Sequence, residues 1–202
     1  MRLNRKAGGC LVRTGGWTKL SSDIKEKELN IMSIRKGDFK MEKPKISLRP
    51  FQDTDDAIFT SWLYKDYILK WYQNPEGWLI EINGRHDEYA WIHHFIVMDG
   101  EISIGFCQYY DCYDAKDLED WYAVTKRDDV CSIDYLIGNE EYLGKGCGKE
   151  IVRILTRHIN DTGKAREIVV QPDEDNSASN GVLLANGYIY DKQKRYYSKL
   201  LK

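Results

Sequence analysis

The residues best suited to chemistry lie in the stretch from Cys131 to Ile151, which contains Asp134 and the run Leu143-Gly144-Lys145-Gly146-Cys147-Gly148-Lys149. The three glycines stand between a strand pattern and a helix pattern. Lacking Cβ atoms, they let main chain approach a ligand closely. The first N–H groups of a helix have no partner inside it, and the helix dipole adds positive charge there. Such a turn suits a phosphate or diphosphate. The P-loop spacing, with Gly-Lys followed by Ser or Thr, occurs nowhere. The dinucleotide spacing fails because Lys149 stands where its third glycine belongs, and the turn comes late in the chain. The plain alternative is a helix start in which glycine serves tight packing. Asp134 sits among Ile133, Leu136 and Ile137. A carboxylate in such a strand either faces a cleft or lies at an edge facing solvent.

A second group can attract cations. Residues 111–129 hold seven acids, among them Asp120, together with Tyr113, Trp121 and Tyr122. Aromatic faces can take ammonium groups by cation–π attraction. Trp71 and Tyr72 form another candidate wall, and Asp173 is a further contact candidate. The plain readings are a solvated loop for the acids and core packing for Trp71. Cys147, at the helix start, fills the loop or, with its pKa lowered by the dipole, serves as a thiol nucleophile. No CxxC pair occurs, and His93 and His94 must point to opposite faces of a strand. No metal is expected. The odd cysteine count fits a reducing cytoplasm.

The elements that position these groups follow from hydrophobic periodicity. Strands are expected at 46–49, 89–98, 101–110, 131–137, 167–171, 188–190 and 195–200, with a hairpin turn at Asp99-Gly100. Helices are expected from Asp53 to about Tyr64, around Tyr67 to Tyr72, from the glycine turn through Ile159, and from Asn176 to Ala185. Asn74-Pro75-Glu76-Gly77 reads as a turn. The class is α+β.

The 202 residues carry a net charge of −2. No apolar run reaches the length of a membrane helix. The total hides an asymmetry, since residues 1–40 hold ten Lys or Arg and four acids, a net of +6, leaving −8 for the rest. Residues 1–40 lack hydrophobic period and a secretory apolar core, and a nucleic-acid-binding arm is the less favoured reading. Lys36-Gly37-Asp38 is encodable as a purine run resembling a bacterial ribosome-binding site, and Met41 precedes the first strand. Residues 1–40 are therefore expected to be translated leader, weakly packed, with 41–202 as the functional domain.

Leu143-Gly-Lys-Gly-Cys-Gly148, after a strand and opening an amphipathic helix, resembles the acetyl-coenzyme A loop of the GNAT N-acetyltransferases. Gly146 and Gly148 match its small positions, and Leu143 replaces its usual Arg or Gln. Ile133-Asp134, six residues between Ile137 and Gly144, Trp62-Leu63, Lys70-Trp71-Tyr72, Gly105 to Tyr110, Asn176 and Gly187-Tyr188 look like the aminoglycoside 6'-N-acetyltransferases. The resemblance implies a mostly antiparallel twisted sheet of six to seven strands flanked by about four helices. It implies acetyl transfer to an amine of a cationic amino sugar by direct attack, with Asp134 as base. Backbone N–H groups near Leu136 and Ile137 would polarise the thioester, and residues 143–149 with Asn176 would hold the cofactor. Trp71, Tyr72, Asp120, Trp121, Tyr122, Asp134 and Asp173 would line the acceptor side. The implied partner is a small cationic amine, with no nucleic acid or membrane, and the implied assembly a monomer or homodimer. The family often carries a Tyr acid for the thiolate where this chain has Leu183. Water, another tyrosine or no acid then serves.

Overall fold

A computed structural model describes residues 43–202, and the expectation about residues 1–40 lies outside them. Residues 44–202 form one compact unit. In chain order it runs β1 (Ile46–Pro50), α1 (Asp56–Leu63), α2 (Asp66–Leu69), α3 (Pro75–Asn83), β2 (Ile92–Asp99), β3 (Ile102–Asp111), β4 (Val130–Ile137), α4 (Cys147–Thr162), β5 (Glu167–Val170), α5 (Ser177–Ala185), β6 (Ile189–Asp191) and β7 (Tyr196–Leu200). The sheet order is β1-β2-β3-β4-β5-β7-β6. Every pairing is antiparallel except β4 with β5. No helix among the described residues is long and apolar enough to cross a membrane.

Two helical layers cover the sheet. Ile151, Val152, Leu155 and Ile159 of α4 recur at helical spacing and are fully buried against one face, with Leu183 of α5 beside them. Phe59, Trp62 and Leu63 of α1, Ile68 of α2 and Ile82 of α3 bury the other face against Ile96, Phe106 and Leu136. Trp62 lies flat against Gly138, where any Cβ would enter the indole ring. This close approach seats α1 on the end of β4.

The structure corrects the reading of Asn74-Pro75-Glu76-Gly77. These residues open α3, with the Asn74 side chain accepting from the Gly77 N–H at 3.2 Å and Pro75 in the first turn. Asn and Pro favour turns and helix starts for the same physical reasons, so the local sequence does not separate them. The described residues therefore hold five α-helices, one more than the expected four. Trp71 and Tyr72 fall just beyond α2 rather than inside it.

One irregularity of the sheet matters most. β4 and β5 pair only over Val130–Ser132 and Glu167–Val169. β4 then continues to Ile137, while β5 stops at Val170, two residues before Pro172, which has no N–H to donate. A gap opens between the two strands.

Candidate active site

Strand alternation divides the side chains of β4. Ile133, Tyr135 and Ile137 pack on the α4–α5 face, and Leu136 packs on the α1–α3 face with Asp134 beside it by period 2. The main chain alternates as well. Gly138 N–H donates to the Ile104 carbonyl of β3 at 2.8 Å, so the polar groups of Leu136 also turn toward β3. Those of Tyr135 and Ile137 turn into the gap. Their carbonyls accept hydroxyl hydrogen bonds there, Tyr135 from Tyr72 at 2.7 Å and Ile137 from Tyr67 at 2.9 Å. Burial raises the pKa of both tyrosines, so both stay protonated donors. The N–H groups of Tyr135 and Ile137 share the gap. Of the expected pair, Ile137 thus presents its donor and Leu136 does not.

Next to the gap lies the glycine turn. Gly144 (φ 70°) and Gly146 (φ 80°) adopt left-handed conformations that a side chain disfavours, and α4 begins at Cys147 with Gly146 as its N-cap. A Cβ at Gly148 would sit 3.4 Å from Val182 of α5 and 4.0 Å from both Tyr135 and Ile137, so the first turn of α4 borders β4 and α5. Asn186 ties α5 to this turn by donating to the Lys149 carbonyl at 3.1 Å. Leu143, Lys145 and Lys149 are exposed. Cys147 is buried, and burial raises its pKa although Lys145 pulls it down. This burial fits the loop-filling reading of Cys147. Asn176 caps α5, accepting from Ser179 N–H at 3.0 Å.

Asp134 faces Gln108 across β3 and accepts from its Nε2 at 3.1 Å. Gln108 is 1% exposed, and its Oε1 is buried without a hydrogen-bond partner. The hydroxyls of Tyr72 and Tyr110 share this face. Burial, and after it the charge of Asp134, raises the pKa of each. A carboxylate beside an unmatched amide oxygen is an acceptor-rich floor that suits an ammonium or amine.

The walls around this floor differ from their sequence reading. Asp111 clasps the following loop, accepting from Tyr113 N–H at 2.8 Å and Asp128 N–H at 2.6 Å. Asp114 pairs with Arg127, Asp117 with Lys116, and Asp129 with Lys126 and Arg166. Much of the acidic charge is therefore already matched by bases. Trp121 and Tyr122 meet edge to face at 4.5 Å, and Trp121 leans on Tyr196, so both rings belong partly to a satellite core. Asp120 is exposed beside them. Trp71 and Asp173 come together with Gln73, Glu174, Asp175 and Arg195 around a groove of about 390 Å³. Gln108, Tyr67 and the Tyr135–Ser179 pair are the groups that sequence reasoning did not assign. Gln108 was detectable as a polar residue in register with Asp134 on the neighbouring strand. Among the described residues no group of three or more His, Cys, Asp or Glu is placed to hold a metal ion.

The glycine turn, with Lys145 and Lys149 at its rim and the Tyr135 and Ile137 donors beside it, fits a diphosphate attached to an extended amide-bearing arm. Comparison with known proteins gives the family. A family model described as acetyltransferase (GNAT) domain matches residues 52–195. The aminoglycoside N(6')-acetyltransferase type 1 of Klebsiella pneumoniae is 25% identical over 138 residues, covering 65% of this chain and 67% of that protein, and the Serratia marcescens enzyme of the same name matches equally. Crystal structures of aminoglycoside acetyltransferase AAC(6')-Ib, with coenzyme A and with coenzyme A plus kanamycin, superpose with TM-score 0.65. They are 21% and 22% identical, over 77% of this chain and 94% of theirs.

Proposed function

This chain belongs to the GNAT acetyltransferase family, an acyltransferase fold that uses acetyl-coenzyme A, and from that premise we propose that it acetylates an amine of a cationic amino sugar in a ternary complex. The observation that carries the reading is the pairing of two features across β4. On one side Asp134 and Gln108 form an acceptor-rich floor. On the other, the gap and the glycine turn offer main-chain donors.

When bound, the coenzyme supplies an activated acetyl thioester. The chain's residues do the rest. N–H groups of Cys147, Gly148 and Lys149 would hold the diphosphate, helped by the charges of Lys145 and Lys149. The N–H groups of Tyr135 and Ile137 would pair with the amide arm and polarise the acyl oxygen. Asp134 holds the incoming ammonium and takes its proton, directly or through water. Gln108 orients Asp134 through Nε2 and offers Oε1 to the same amine. Trp71, Tyr72, Trp121, Tyr122, Asp120 and Asp173 bound the acceptor. Residues 41–202 carry the acetyltransferase domain, which acts in the cytoplasm.

The test is thiol release from acetyl-coenzyme A across a panel of amines. Release with kanamycin-type amino sugars supports the reading. Release with spermidine or a peptide amine alone moves the acceptor to a polyamine or protein. Tight coenzyme binding with no release by any amine would leave a coenzyme-binding protein without turnover.

A further inference from the structure

Acetyl transfer leaves a thiolate that must be stabilised and protonated, and none of the groups assigned so far does this. Leu183 cannot, because it is an aliphatic side chain fully buried in the α4–α5 core. The same face of the sheet carries several tyrosines, and most are committed elsewhere. The Tyr188 hydroxyl is hydrogen-bonded to Thr156 at 2.7 Å in the interior, and that of Tyr142 donates to Asp99 at 3.1 Å. Tyr109 stacks on His93, and Tyr197 packs on Tyr190 at the far edge of the sheet.

Tyr135 is different. It follows Asp134 on β4, its main chain lines the gap, and its ring lies beside Gly148 at the glycine turn. Its hydroxyl lies 2.8 Å from the Ser179 hydroxyl, in the first turn of α5. Ser179 and Leu183 are four residues apart and share one helix face. Tyr135 and Leu183 belong to the same core cluster, and from the strand the Tyr135 hydroxyl meets α5 one turn before Leu183. Ser179 is half-buried and next to exposed Ser177 and Ala178, which gives the hydroxyl pair an outlet to water.

We propose that the Tyr135 hydroxyl, backed by Ser179, donates the hydrogen bond and then the proton that the departing thiolate sulfur requires. This rests on the acetyltransferase reading above. The C–N bond forms and the C–S bond breaks, leaving its electron pair on sulfur. Two protons leave the ammonium nitrogen through Asp134, one before attack and one after it. One proton reaches sulfur from Tyr135, which is replenished by Ser179 and Ser179 by water. The balance is one proton released per acetyl group transferred. Burial, ahead of the opposing bond to Ser179, pushes Tyr135 up to about 12, so at neutral pH the hydroxyl is protonated and acts as donor.

The test uses Tyr135→Phe and Ser179→Ala, with two readouts besides folding. The first is calorimetric affinity for coenzyme A together with the pH dependence of alkylation of the bound coenzyme thiol, followed by the mass of the coenzyme adduct. The second is kcat against KM. Tyr135→Phe should bind coenzyme A within about threefold of the unaltered protein. It should shift alkylation of the bound thiol to higher pH, and lower kcat by roughly tenfold to a hundredfold with acceptor KM nearly unchanged. Ser179→Ala should do the same more weakly. Unchanged thiol titration and kcat in Tyr135→Phe would overturn the assignment while leaving the acetyltransferase reading intact. No coenzyme binding by the unaltered protein would overturn both.

Discussion

At the turn from β4 into α4 the groups that matter are main-chain donors, held by glycines in left-handed conformations and by the early end of β5. In the loop from Asp111 to Asp129 they are carboxylates and rings, and several already hold one another. The contrast explains why one half of the site reads so much more sharply than the other. Main-chain donors exist whatever the side chains are, so only glycine and proline need to appear in the sequence to expose them. A side-chain surface depends on which charges survive pairing. Three of the seven acids in that loop, Asp114, Asp117 and Asp129, face Lys or Arg within ion-pair distance. The negative field of this loop is correspondingly weaker than a count of acids implies, and surface pairs of this kind add little stability.

Four substitutions sharpen this contrast. The largest effect belongs to Asp134→Asn, which keeps size and one hydrogen-bonding oxygen but removes the carboxylate proposed as base. Turnover should fall by ~10²–10⁴-fold with coenzyme affinity unchanged, read by thiol release and calorimetry. A wild-type rate across pH would remove Asp134 from the chemistry. Gln108→Leu comes next. It takes away both the donor to Asp134 and the buried Oε1, and acceptor KM should rise by about tenfold or more, since a lost bond to a charged group costs about 1.5–3 kcal/mol. Asp111→Ala should open the clasp at Tyr113 and Asp128. Acceptor KM should rise by about threefold to tenfold, without change in coenzyme binding, and limited proteolysis should cut the loop faster. An equal loss of coenzyme affinity would mean that the two halves are not separable. The smallest effect on catalysis is expected for Tyr72→Phe, which strands the buried Tyr135 carbonyl. It should cost about 1–3 kcal/mol in denaturant unfolding, with kcat changed by less than about threefold.

Much of the architecture was readable from period-2 and period-3.6 patterns: the seven strands, although Tyr89 to Trp91 form turn rather than strand, the Asp99-Gly100 hairpin, and α4 with Ile151, Leu155 and Ile159 inward. α3 was not, because Asn74-Pro75 is equally good chemistry for a turn and for a helix start. Around the site, the glycine turn and Asp134 were legible since both violate local expectation, glycines opposing helix and carboxylate opposing strand. The split of Leu136 and Ile137 was not, because which N–H faces the gap depends on register with β3. Nor was the fate of the acids, because the Arg166 that holds Asp129 is distant in sequence.

The account stands or falls on the main-chain donors between Gly144 and Lys149. Coenzyme A titrated calorimetrically into the unaltered protein, Asp134→Asn and Gly146→Trp should give saturable one-to-one binding of similar affinity in the first two and none in the third. Equal binding in all three, or no heat with the folded unaltered protein, would contradict it.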